Sequence, residues 1–434
     1  MRNVESEPVV ERGASEGRGT LRALAGREVR LEPLLDVIVR RQIGIIIGIG
    51  IFFRVARYLA SRPLWLDEVS LALNFGPTPW TDLFGPLANA QLAPAGFLMV
   101  EWVAVRILGF HALAMRLFPL VCGIASLFLF TGVARRCLRP EAVSIGLGLF
   151  AVSDDMIYYS SELKPYATDV ALGLACLLGG FHVASRPLTK SRLAGFAALG
   201  VSAVWLSFPA AFVLAGVGTV LIVSALRQQM EKRALGLTLA SLAWTSSFAG
   251  VYATAVRQLG GNRPTMWAFW DFAFPRLPPA TVWEAGWAIR RLLYLFVNPL
   301  DFATPLGPWS SAVAALGFFL VGCACLRPRD PRAFWMVLSP ILFALLAGYL
   351  HLYPFHGRLI LFVVPLLLLL IGEGAWRIVE RFKDRRCRAA ALLLIFCYPV
   401  LFDIAHMVET RDRFGLPVHG DRRPPALELS EFPF

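Results

Sequence analysis

Two adjacent carboxylates, Asp67 and Glu68, stand in the stretch Pro63-Leu64-Trp65-Leu66-Asp67-Glu68-Val69, directly after the first long apolar run of the chain. A charge kept at the edge of a bilayer is either solvated or costly, and a costly one points to function. Paired acids at such a place suit a general base that takes a proton from a hydroxyl, or oxygen ligands for a cation. The plain alternative is a solvated loop or the N-terminal cap of a helix.

A second cluster mixes acids, a cation and tyrosines: Ser153-Asp154-Asp155-Met156-Ile157-Tyr158-Tyr159-Ser160-Ser161-Glu162-Leu163-Lys164-Pro165-Tyr166. A turn that only joins two spans needs none of these groups. Asp154 and Asp155 fall in the last turns of an expected span, Ala142–Tyr158, a depth that suits them only if they face a cavity. Glu162 and Lys164 are either a surface ion pair of little worth or part of a site. A third cluster is Tyr353-Pro354-Phe355-His356-Gly357-Arg358. Arg358 there reads as an interface anchor or as an anion clamp assisted by His356 and Tyr353, since a guanidinium fork matches phosphate oxygens. Arg54 and Arg57, near the far end of the first run, are snorkelling side chains or face the same anion, Arg57 as a lesser phosphate contact.

Taken together, carboxylates, cations and aromatic rings at one membrane face suit attack by an acceptor hydroxyl on a sugar held by a membrane lipid phosphate. Neither a Walker A sequence nor a Rossmann glycine pattern is present, so the activated group must arrive already attached to its carrier.

The elements that position these residues follow from composition. Of 434 residues, 57% are hydrophobic and 17% charged, against about 45–50% and about 25% in soluble domains. The apolar runs do not alternate as barrel strands would, so the class is an all-α polytopic membrane protein. We expect eleven transmembrane helices, within a range of ten to thirteen. Between them the basic loops 135–139, 186–192, 227–233, 327–332 and 377–388 fall on one side, which fixes the amino end as cytoplasmic and the acid clusters as external. The net charge of +12 is thereby explained by topology, and no basic stripe with interleaved aromatics suggests nucleic acid. The segment 94–110 is read as an interfacial helix, because a span there would invert every later loop. The expected organisation is a polar, disordered cytoplasmic leader (1–34), a transmembrane domain (35–407) with outer loops 61–115 and 257–310, and a polar outer-face tail (408–434). The leader has no apolar core of a signal peptide. The seven cysteines lie in or beside apolar runs and form neither a disulfide framework nor a zinc site.

The order of motifs resembles a known family. Trp65-Leu66-Asp67-Glu68, then Gln91-Leu92-Ala93-Pro94, then Gly109 to Arg116 opening a span, then Tyr159-Ser160-Ser161-Glu162-Leu163-Lys164-Pro165-Tyr166 is similar to the GT-C membrane glycosyltransferases. The branch is the family 39-like group of protein O-mannosyltransferases and lipid A aminoarabinose transferases. The motif match covers roughly the first 190 residues and extends further by topology and by the Tyr353 to Arg358 loop. The resemblance implies transfer of a sugar from a polyprenyl-phosphate donor, usually with inversion, on the outer side of the plasma membrane, to a lipid, glycan or protein acceptor in the cell envelope. It places the catalytic acid at Asp67, with Glu68 and Glu162 as supporting acids. Lys164, Tyr166 and Arg358 are then the expected phosphate contacts, with His356, Tyr353 and Arg57 beside them. A divalent cation on Asp67 and Glu162 stays open, as do two other functions: a transporter or flippase of lipid-linked sugars, and a non-catalytic scaffold.

Overall fold

The structure, a computed structural model, describes residues 40–300, 308–384, 386–396 and 401. The expected leader 1–34 and tail 408–434 lie outside the described residues. The chain divides into two units, Met1–Ile45 and Ile46–Phe434; of the first, only residues 40–45 are described, and these are helical.

The second unit is built of helices joined by loops, with no strand among its described residues. Among the described residues, eight helices are long and apolar enough to cross a membrane: α1 (Arg40–Leu59), α4 (Ala112–Cys137), α7 (Tyr166–Ala184), α9 (Ala210–Arg227), α10 (Glu231–Leu259), α14 (Pro308–Arg329), α15 (Pro331–Tyr349), and α16 (Val364–Val379) with the 3-10 segment Gly357–Val363 that leads into it. Two expected spans are shorter, α5 (Pro140–Ala151) and α8 (Lys190–Leu206); of the last expected span, Ala389–His406, residues 389–396 are helical and most of the rest lies outside the described residues. Between the long helices lie α2 (Leu66–Ala72), α3 (Ala95–Leu108), α6 (Asp154–Tyr158), α11 (Arg263–Trp270), α12 (Val282–Ala285) and α13 (Trp287–Tyr294).

One difference from the sequence reading has a clear local cause. The span expected over Ala142–Tyr158 breaks after Ala151, and Ser153-Asp154-Asp155 opens the separate helix α6. Acids favour the first turn of a helix, where unpaired N–H groups and the dipole welcome negative charge, so Asp154 and Asp155 begin one element rather than end another. The segment expected at 94–110 is the single helix α3. At about 21 Å long it is too short to cross a hydrocarbon core of about 30 Å. Phe97, Leu98, Glu101 and Val105 are buried while Val103, Ile107 and Leu108 are exposed.

α16 is the central helix. Its run Val364–Ile371 is apolar on every side, and every residue of it is buried, as expected of a helix surrounded by others. α14 approaches it through Gly322 and Gly374: a Cβ on Gly374 would run into the Phe318 carbonyl, and one on Gly322 into that of Leu370. Small residues let backbones meet where lipid supplies no hydrophobic drive.

The basic loops gather at one end of this unit. Arg329 donates to the Cys137 carbonyl and pairs with Glu373, Arg139 pairs with Glu373 and Glu380, and Arg233 and Arg332 reach the last carbonyls of α7. At the other end, residues 61–115 build a core of their own. Leu64, Val69, Leu71, Phe75, Leu83, Phe97, Leu98 and Met115 pack together, and Leu163 from the second cluster plugs into them. This small core sets the relative positions of the acids described next.

Candidate active site

Asp67 and Glu68 occupy the first turn of α2 and face different partners. Glu68 is fully buried. Its Oε1 accepts from Arg116 Nε at 2.8 Å and from the Leu163 amide at 2.8 Å, and its Oε2 accepts from Arg116 Nη2 at 2.5 Å and from the Trp65 amide at 3.3 Å. Arg116 also donates to the carbonyls of Arg62 and Pro63. Both side chains are out of solvent, at 1% and 0% exposure. Burial works to raise the Glu68 pKa, but Arg116, Arg62 and the Leu163 amide outweigh it and hold the group below the usual carboxylate range. Glu68 therefore ties three pieces of chain together: the start of α2, the start of α4 and the loop before α7.

Asp67 keeps 22% of its side chain exposed. Oδ1 lies 3.2 Å from Lys164 Nζ and Oδ2 lies 2.8 Å from Arg358 Nη2. Gln91 bridges, its Nε2 donating to Asp67 at 3.4 Å and its Oε1 accepting from Lys164 at 2.6 Å. Burial pushes the Asp67 pKa up; the charges of Lys164 and Arg358 and the bond from Gln91 more than offset it, leaving the carboxylate below its ordinary range. For Lys164 burial dominates, and with Arg358 it draws the ammonium below the ordinary lysine value against the pull of Asp67.

Aromatic rings frame these charges. Arg358 stacks 5.1 Å from the Trp65 ring and 5.8 Å from that of Tyr166, and Tyr166 packs edge-on to Tyr159 at 5.1 Å. Such stacking orients a planar guanidinium while leaving its remaining N–H groups to act. Trp65 Nε1 donates to Glu162 Oε1 at 2.9 Å, and Glu162 is fully buried. The loop explains the alternation: Leu163 enters the apolar core, and Glu162 and Lys164 flank it. The reading of Glu162 and Lys164 as a surface pair is corrected here. Both are buried, and Lys164 pairs with Asp67.

The remaining expected contacts take other positions. Arg57 stacks on the Tyr158 ring at 4.7 Å. Arg54, also buried, donates to Gly50, Phe150 and Ala151 carbonyls and so closes the end of α5. Tyr353 donates its hydroxyl to the Leu359 carbonyl at 2.9 Å and packs on Phe212. His356 Nδ1 lies 2.9 Å from Arg291 Nη1 and stacks with Tyr294. Tyr353 and His356 thus support the loop that carries Arg358.

The donor set does not suit a divalent cation. Asp67 already meets two cations, Glu162 meets an indole N–H, and no group of three or more His, Cys, Asp or Glu side chains is arranged to hold a metal among the described residues.

Trp65, Gln91 and Arg116 stand within the sequence motifs, but residue type and spacing alone assign them no role. For Arg116 a signal was there: a lone cation opening an apolar span, like Glu68, is costly unless the two meet.

No protein-family model matches the chain, and no curated protein matches it by sequence. Solved structures match by fold. Archaeal oligosaccharyltransferase AglB from Archaeoglobus fulgidus, in complex with an inhibitory peptide and a dolichol-phosphate, matches with a TM-score of 0.53 at 14% identity, over 85% of this chain and 56% of that one. ArnT from Cupriavidus metallidurans matches with TM-scores of 0.51 in the apo state and 0.52 bound to undecaprenyl phosphate, at 14% identity, over 86% of this chain and 73% of that one. This chain thus spans little more than half the length of the archaeal enzyme. What is shared at this identity is architecture: the protein is a polytopic all-α membrane protein whose fold is similar to that of AglB and ArnT.

Proposed function

We propose that the protein is a membrane glycosyltransferase that moves a sugar from a polyprenyl-phosphate donor to a lipid, glycan or protein hydroxyl on the outer side of the membrane. One observation carries the reading: the two oxygens of Asp67 each meet a cation, Lys164 and Arg358, that suits a phosphate. The fold supports it, since ArnT has been captured with undecaprenyl phosphate and AglB with a dolichol-phosphate. The external placement is supported by the basic loops at the far end of the bundle.

The resting pairs make Asp67 a weak base. A donor phosphate draws Lys164 and Arg358 toward itself, and Asp67, relieved of both, regains proton affinity next to the anomeric carbon. The acceptor oxygen attacks that carbon while Asp67 takes the hydroxyl proton. The bond from the anomeric carbon to the phosphate oxygen breaks, and its electron pair leaves with the polyprenyl phosphate, whose growing charge Lys164 and Arg358 hold. A single displacement of this kind inverts the anomeric centre. Glu162 and Trp65 position Arg358 and the loop, and Glu68 acts through structure alone.

A transporter of lipid-linked sugars places its ionisable groups near the bilayer midplane on broken helices; the charges here sit at helix ends. The test is a panel of polyprenyl-phosphate sugars incubated with membranes containing the protein and native acceptors, read by mass spectrometry. Acceptor-dependent release of polyprenyl phosphate in the wild type, lost in Asp67→Asn, supports the reading. Full transfer in both Asp67→Asn and Lys164→Ala sinks it.

A further inference from the structure

A cavity of about 830 Å³ lies at the end of the bundle away from Asp67, between α7, α9 and α15. The separation follows along α7: Tyr166 opens that helix, while the cavity meets it at Phe181, Ala184 and Ser185, roughly 25 Å further on. The hollow takes no part in the chemistry proposed above.

Its walls change character with depth. At the mouth are Arg136, Arg227 and Arg332, each at or next to the end of its helix. Deeper, α9 contributes Val220 and Val223 and α15 contributes Leu342 and Phe343. Leu342 lies eleven residues beyond Pro331, roughly 16 Å into the bundle. Trp335, 42% exposed, lines the hollow about one turn in, the level at which tryptophan meets lipid headgroups.

Arginines at this end are ordinary on topological grounds. An apolar hollow opening among them is not, because a bundle that could close would pack its helices to contact. Arg136 and Arg227 pair with no carboxylate among the described residues. Among the described residues, Arg332 makes a long bond, 3.5 Å, to the Ala184 carbonyl. Asp330, the one acid among the described residues that line the cavity, accepts from the Ala333 amide at the start of α15, 2.9 Å away. On the wall, the Ser339 hydroxyl is buried and has no hydrogen-bond partner among the described residues. Three cations above an apolar slot complement a molecule with an anionic phosphate and an acyl chain.

We propose that this cavity is a binding site for an anionic phospholipid of the inner leaflet. The phosphate meets Arg136, Arg227 and Arg332, and one acyl chain runs between α9 and α15. A lipid seated there holds three helix ends in register at the face opposite the Asp67 site.

The test uses the purified full chain in detergent, with dioleoylphosphatidylglycerol and dioleoylphosphatidylcholine as probes and native mass spectrometry as readout. The proposal expects phosphatidylglycerol to be retained over phosphatidylcholine, and the combined Arg136→Gln and Arg227→Gln variant to lose roughly ten- to thirtyfold of that preference. Equal retention of the two lipids by the wild type overturns it. So does competition by inorganic phosphate alone, which would make the ligand a free anion. In parallel, wild-type protein is photolabelled with phosphatidylglycerol carrying a diazirine in one acyl chain. Crosslinks on α9 or α15 near Val223 or Leu342 support the site even if the double variant fails to fold, and crosslinks confined to other helices overturn it.

Discussion

Arg116 grips Glu68 through two parallel hydrogen bonds of 2.8 and 2.5 Å, with both side chains excluded from solvent. Asp67, the preceding residue, instead faces Lys164 and Arg358. Adjacent carboxylates are thus divided between a fully buried pair and a partly exposed cluster of cations by the direction in which the first turn of α2 sends each side chain.

The first prediction follows from that division. Arg116→Ala leaves Glu68 buried without its cation and should cost about 3–5 kcal/mol of stability. Thermal unfolding of the detergent-solubilised protein measures it. The double variant Arg116→Leu with Glu68→Leu should recover part of that loss, because it removes both charges. A double variant less stable than Arg116→Ala would contradict the framework role.

Asp67→Asn should leave the fold intact and reduce transfer from a polyprenyl-phosphate donor by about two to four orders of magnitude, the usual contribution of a positioned base. Initial rates at saturating donor decide it. A loss confined to KM would instead mark Asp67 as a binding group.

Lys164 gives a pH dependence. Its pKa is drawn below the ordinary lysine value of about 10.4, so its charge is lost as pH rises through the lowered value. Transfer should fall on the alkaline side for that reason. In Lys164→Arg the group stays charged, and the alkaline limb should move upward even if the peak rate drops. On the acid side, the Asp67 pairs stabilise the fold above the unfolded carboxylate value of about 3.9 and are lost as pH falls through the still lower folded value. A stability loss from this pair between pH 5 and 7 is therefore not expected. An alkaline limb identical in wild type and Lys164→Arg would exclude Lys164 as its source.

Trp65→Phe removes the indole donor to Glu162 while keeping a ring beneath Arg358. A hydrogen bond to a charged group contributes about 1.5–3 kcal/mol, so transfer should drop roughly ten- to a hundredfold, with Trp65→Leu lower still because the stacking is also lost. Equal rates for the two variants would mean that the ring face does not help to orient Arg358.

Much was legible in the residues alone. Apolar runs of membrane-spanning length identify the class because a backbone in lipid must satisfy its own hydrogen bonds, and a helix is the local way to do so. The acid-and-tyrosine motifs, being short and contiguous, marked Asp67, Glu162 and Lys164 without a fold. Local signals failed where two rules competed: Ser153-Asp154-Asp155 reads as the polar end of an apolar run and also as the start of a helix, and the second reading prevailed in the structure.

Which charge meets which was decided only by the tertiary structure. Asp67 and Arg358 are 291 residues apart and 2.8 Å distant, and no periodicity relates them. The pairing depends on Leu163 seating its loop in the core of the first outer segment and on α16 bringing Arg358 to the same end of the bundle. Sequence alone placed costly charges at helix ends. Packing then made one carboxylate a buried strut and left its neighbour at a half-open site, because Coulomb energies depend on distance and burial rather than on order along the chain.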